Sequence, residues 1–211
     1  STLFPYTTLF RSVKFVVPYT HLLRHLPAHL QQLDMESNGK SVTQSGETVA
    51  CDTGSIFWGG EGVNSQHAFF QLLHQGTRLV PVDFIVPVNT PEAAQNRRFT
   101  AANAFAQAEA LMLGKTDPAP HLRFEGNRPS NTLLIDRLDP FTLGLLTALY
   151  EHRTFVQAAV WDTNPFDQWG VQYGKTLAQT ILSELDGGEN RPHDHSTAAL
   201  IARFRQQDKS A

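Results

Sequence analysis

Residues 79–88 read LVPVDFIVPV, a run almost unbroken in apolar side chains. Such a strand is covered on both faces, as in the middle of a parallel sheet, with its prolines tolerable only near the ends or at a bulge. Upstream, VKFVV at 13–17 is a second short apolar run, stopped by Pro18, and Ile56-Phe57-Trp58 is a third that runs into Gly59, Gly60 and Gly62. Thr132–Ile135 supplies a fourth. Each is short, bounded by turn residues and rich in β-branched or aromatic side chains, as strands are.

Helical patterns fill the intervals. Leu22, Leu23, Leu26, Leu30 and Leu33 recur at three- and four-residue steps, with Pro27 expected to disturb an otherwise unbroken helix. Ala68, Phe69, Leu72 and Leu73 give a second helix an apolar face, with Asn64 or Ser65 as its expected N-cap and Gly76 as its stop. An Ala-rich helix is predicted over 99–113, closed by Gly114. Asp139-Pro140 is an N-cap followed by proline at the first helical position, opening a helix to at least Tyr150 and as far as Trp161. Asp167 is the expected cap of a helix carrying Trp169, Tyr173, Leu177, Ile181 and Leu185, and a short helix over about 196–207 closes the chain. Strands alternating with helices predict an α/β layered sandwich with a mainly parallel sheet, followed by C-terminal helices.

Composition narrows the function. With 41% hydrophobic and 18% charged residues, the 211-residue chain has ordinary globular usage and enough length for a substantial core. The net charge is −3 and the Lys and Arg are scattered, so neither nucleic acid nor an anionic membrane surface is an expected partner. Cys51 is the single cysteine, which excludes an intrachain disulfide within these residues and a cysteine-built zinc site. No apolar run reaches the roughly 18–20 residues of a membrane span, and no signal-peptide pattern is visible, so a cytoplasmic location is expected. Residues 1–12, STLFPYTTLFRS, share no period with the rest and read as a non-native junction.

Candidate chemistry gathers in 32–75. Glu36 lies at a helix-to-turn boundary in Met35-Glu36-Ser37-Asn38-Gly39-Lys40, where Asn-Gly signals a turn. With a cap at Asn64 or Ser65, His67 falls in the first turn of its helix, where the dipole biases imidazole toward neutral. The Gly59–Gly62 turn is expected to bend sharply or approach a ligand, as the carboxyl ends of parallel strands do. A carboxylate moves protons at carbon, a histidine at oxygen, and a lysine stabilises developing negative charge. Glu36, His67 and Lys175 offer all three, yet each taken alone reads as a solvated or locally paired group. His193-Asp194-His195 has too few ligands for a metal site and reads as loop polarity, and His74 reads as a helix-terminal cation. The glycine turn lacks the Gly-Lys-Ser/Thr of a P-loop and the GxGxxG pattern is missing, so nucleotide binding has no support.

Five stretches carry a family resemblance: MESNGK at 35–40, WGGEGVNSQHAFFQLLHQGT at 58–77, FEGNRPSN at 124–131, LYEHRTFVQ at 149–157 and FDQWGVQYGK at 166–175. In this order they resemble the C-terminal part of glucose-6-phosphate isomerases, over essentially all of 13–211. The resemblance implies a sugar-isomerase domain, a three-layer α/β/α sandwich, and a cofactor-free, metal-free aldose–ketose isomerisation in glycolysis and gluconeogenesis. It implies that Glu36 moves a proton between C1 and C2 through an enediol, while His67 and Lys175 match residues for ring opening and charge stabilisation. Gln32 and Gln168 match substrate contacts. The substrate is a sugar phosphate, and the family's site lies at a homodimer interface, with the histidine supplied by the neighbouring subunit.

Three departures qualify that match. Gln172 stands where the signature has Glu, and WGGEGVNS replaces a commoner GEPGTNG-like turn, with Glu61 off the usual acidic position. No Gly-Gly-Arg motif or Ser/Thr-rich phosphate cradle occurs, as expected if the family's first domain is absent, so the chain alone is expected to be inactive. A non-catalytic sugar-phosphate-binding module and a structural dimerisation domain are the competing readings.

Overall fold

In the computed structural model, which describes residues 13–208, the run at 79–88 forms β3 (Val82–Asn89), buried from Val82 to Pro87. It lies inside a four-stranded sheet of order β2-β1-β3-β4, with β1 at Val13–Pro18, β2 at Ile56–Gly59 and β4 at Ser130–Arg137. All three pairings are parallel, with Phe15 opposite both Trp58 and Val82, and Val82 opposite Ser130. The predicted stretch 1–12 lies outside the described residues. The described chain separates into two units, 13–167 and 168–208.

In the first unit the side-chain alternation of the strands divides the core in two. Phe15, Val17, Val82, Phe84 and Val86 point to one face, where α2 (Gly62–Gln75) and α3 (Ala94–Leu113) add Phe70, Leu73, Ala104 and Leu111. Val16, Phe57 and Ile85 point to the other, where α1 (Leu26–Gln31) and α4 (Pro140–Trp161) add Leu26, Leu30, Leu146 and Tyr150. This is a three-layer α/β/α sandwich, as the sequence implied. The second unit is a helix pair, α5 (Trp169–Leu185) and α6 (His195–Asp208).

Several boundaries differ from the reading of the sequence, each for a local reason. Pro27 sits in the first turn of α1, where its missing N–H leaves no bond unmade, so it opens the helix rather than interrupting it. Leu22 and Leu23 form a separate 3₁₀ turn at 21–23, and Leu22 is exposed. Helix α2 begins at Gly62, with Glu61 as N-cap, and Ser65 is buried inside it, donating its backbone N–H to the Glu61 carbonyl at 2.9 Å. Helix α3 begins at Ala94, five residues earlier than its apolar pattern. Gln168, not Asp167, is the N-cap of α5. The Asp139 cap of α4 is as read: its carboxylate accepts from the Thr142 N–H at 2.9 Å.

Candidate active site

Between α1 and β2 the chain makes a single π-helical turn, Gln32–Glu36. Such wide turns are rare and concentrate at functional positions, because the extra residue re-aims the side chains around it. Here the turn is fixed by its buried polar residues. Asp34 is buried, its carboxylate accepting from the Ser55 N–H at 3.3 Å and the Thr154 hydroxyl at 3.5 Å. Asn38, fully buried, donates to the Thr154 carbonyl at 3.2 Å and to Gln157 Oε1 at 3.4 Å. Burial pushes the Asp34 carboxyl above its ordinary range, opposed first by the Arg153 guanidinium and then by its hydrogen bonds. Lys40 closes the turn, its ammonium 2.8 Å from the carbonyl oxygens of both Glu36 and Ser37.

The same face of the sheet carries a second polar cluster. Lys14 and Asp83, both buried, form an ion pair at 2.7 Å, and Asp83 also accepts from Asn131 at 2.8 Å and from the Tyr150 hydroxyl at 3.2 Å. Burial outweighs the attraction of Asp83 and holds the Lys14 ammonium below its usual range. Burial, then the negative Asp83, push the Tyr150 hydroxyl well up. Arg153 acts on both clusters and lies over the Phe57 ring at 4.7 Å.

Glu36 thus projects, half-buried, from a turn tied to Ser55 just ahead of β2, at the amino ends of the strands. The glycine turn lies at the opposite, carboxyl end. Packing requires glycine at two of its positions: a Cβ on Gly59 would lie 1.9 Å from the Val16 carbonyl oxygen, and one on Gly62 2.5 Å from the Tyr19 ring. A cavity of about 310 Å³ is found there, lined in part by Tyr19, His21, Glu61 and Glu92, and none of the predicted catalytic residues lines it. His21 Nδ1 is 3.0 Å from the Glu61 carboxylate. Burial raises the Tyr19 hydroxyl to about 12, with the Gln66 amide pulling it down.

His67 is the sixth residue of α2, beyond the first turn, so the dipole argument for a neutral ring loses its premise. It is exposed, and its helix packs on the face of the sheet away from the π turn, so Glu36 and His67 occupy opposite layers of one chain. Gln32 opens the π turn and is exposed. In the second unit, Gln168 caps α5 without a side-chain bond and Lys175 is exposed on that helix. Two other histidines make contacts that the sequence did not show. His74 lies in the last turn of α2 as read, but it is buried there, hydrogen-bonded to Gln107 at 2.7 Å and edge-on to Phe124. His193 is not loop polarity but bonds the buried Glu184 at 2.9 Å, while Asp194 accepts from the first backbone N–H groups of α6.

The sequence model of the family described as Phosphoglucose isomerase matches residues 3–201. This chain belongs to the phosphoglucose isomerase family. A relative named glucose-6-phosphate isomerase 2, from Neisseria gonorrhoeae, is 59% identical over 208 residues, covering 90% of this chain and 38% of its own length. The glucose-6-phosphate isomerase of Deinococcus deserti is 52% identical, with 91% and 39% covered. The crystal structure of a glucose-6-phosphate isomerase from Chlamydia trachomatis superposes with a TM-score of 0.82 at 38% identity, over 92% of this chain and 38% of that one. This phosphoglucose isomerase family chain therefore spans well under half the length of the relatives it matches. Among its described residues, no helix is long and apolar enough to cross a membrane.

Proposed function

We propose that this chain is the carboxy-terminal catalytic portion of a glucose-6-phosphate isomerase, interconverting glucose 6-phosphate and fructose 6-phosphate in cytoplasmic glycolysis and gluconeogenesis. The observation that carries the proposal is Glu36 on a π turn whose backbone is pinned from three sides, in a chain of this family. A carboxylate so placed suits a proton transfer at carbon, where a small error in position is costly. In the open-chain aldose, Glu36 takes the proton from C2 while O1 gains one, giving the enediol. Return of a proton to C1 with loss of the O2 proton gives the ketose. Atoms and electrons balance without an external oxidant or reductant.

By resemblance, His67 serves ring opening, Lys175 steadies negative charge, and Gln32 and Gln168 contact the sugar. That Glu36 and His67 lie in opposite layers favours a homodimer in which each site takes His67 from the partner subunit. The resemblance assigns the phosphate-binding groups to the family's first domain, and the chain spans 38% of the length of the Neisseria gonorrhoeae relative.

The test is a chimaera in which the present chain replaces the matching part of the Neisseria gonorrhoeae relative. Turnover of fructose 6-phosphate is expected from the chimaera and not from the 211-residue chain alone. A folded chimaera that binds the sugar phosphate without turning it over would instead support a non-catalytic module.

A further inference from the structure

We propose that Lys40 is a positioning residue for Glu36, an inference that rests on the reading of Glu36 as the base. The last carbonyls of a helical segment lack partners within it and favour a cation. Lys40 Nζ meets that demand at 2.8 Å from Glu36 O and 2.8 Å from Ser37 O. It is held in turn by Asp167, at 2.9 Å from the carbonyl oxygen and 3.1 Å from Oδ1. The Lys40 side chain is only 18% exposed, so this is a seated ammonium rather than a solvated surface lysine.

The arrangement matters because no hydrogen-bonding side chain among the described residues holds the Glu36 carboxylate itself. Its direction follows from the backbone at 36–37, and the carbonyls that define that backbone are the two Lys40 grips. Asp34 and Asn38 secure the turn to Ser55, just ahead of β2, and to α4, while Lys40 fixes its last two peptide planes. Lys40 touches no reacting atom in this account.

Lys40→Met keeps the alkyl stem and removes the ammonium. In the chimaera kcat should fall by roughly tenfold to a hundredfold, the cost of a reacting group displaced by about 1 Å, with KM changed by less than about twofold. In the 211-residue chain the amide protons of 37–39 should exchange at least about tenfold faster, the mark of a loosened turn. Asp167→Asn should act in the same direction, and the two substitutions together should cost less than the product of their separate effects. Should Lys40→Met fail to fold, Lys40→Arg repeats the test, since a planar guanidinium cannot place one point charge between these oxygens. A kcat within about twofold of the parent, or unchanged amide exchange, overturns the proposal. Glu36→Gln in the same chimaera separates the two ideas: full turnover there removes the base, while the exchange data still decide whether Lys40 holds the turn.

Discussion

Replacing Lys14 by Met tests the centre of the sheet. The substitution fills nearly the same volume but leaves Asp83 buried, 6% exposed, without its cation. Removing one partner of a buried ion pair costs about 3–5 kcal/mol. Asp83 keeps two neutral donors, Asn131 at 2.8 Å and the Tyr150 hydroxyl at 3.2 Å, which places the cost near the lower end, about 3 kcal/mol. For a chain of this length each kcal/mol moves the melting midpoint by about 2–4 °C, so a fall of roughly 6–12 °C is expected, followed by near-ultraviolet circular dichroism. Replacing both members of a buried ion pair by neutral groups of similar shape costs far less than removing one, because no uncompensated charge is left buried. Lys14→Met with Asp83→Asn should therefore recover most of the loss. A midpoint within about 2 °C of the parent for Lys14→Met, or a double variant as unstable as the summed singles, would refute the reasoning.

Other outcomes follow from the same structure. Gly59→Ala drives a Cβ into the Val16 backbone and should destabilise by at least about 1–3 kcal/mol in urea unfolding, whereas Gly60→Ala meets chiefly the Ser65 side-chain hydroxyl at 2.8 Å and should cost less. In the second unit, His193 holds the Glu184 carboxyl below its ordinary 4.5, and the Thr197 hydroxyl and N–H hold Asp194 below 3.8. Depressed values mean that this stability is present above the ordinary values and lost as pH falls through the lower folded ones. An acid titration followed by helical circular dichroism should show the loss below pH 4.5, and Glu184→Gln should flatten it. Along α4, Phe141, Leu145, Leu149, Val156 and Val160 are all exposed at helical spacing. The chain should self-associate at tens of micromolar through this face, and Leu149→Glu should shift light scattering toward monomer.

The strands and their order of alternation with helices were legible because buried parallel strands have a composition of their own, as in 82–87. The Asp139-Pro140 helix start was legible for the same local reason. What lay out of reach were features decided across the chain. Lys14 and Asp83 sit inside apolar runs, and only the β1–β3 pairing shows that they neutralise each other. The start of α2 moved back to Gly62 because that glycine fits beneath the Tyr19 ring, a contact 43 residues away that no capping rule contains. Of the candidate site, Glu36 at a helix-to-turn boundary could be read, but the π turn could not. Its signal was the buried polar pair Asp34 and Asn38, whose partners Ser55, Thr154 and Gln157 are far along the chain. Lys40 was visible only as part of a turn motif.

The central claim is that Glu36 carries the proton between C2 and C1. Exchange of the C2 proton of glucose 6-phosphate with deuterated solvent, measured by NMR in the chimaera, reads that step without depending on product release. Glu36→Gln keeps the shape of the side chain and removes the base, so exchange should drop by about 10²–10⁴-fold while sugar-phosphate affinity and the melting midpoint stay near the parent. Undiminished exchange in a stable Glu36→Gln protein would contradict the account.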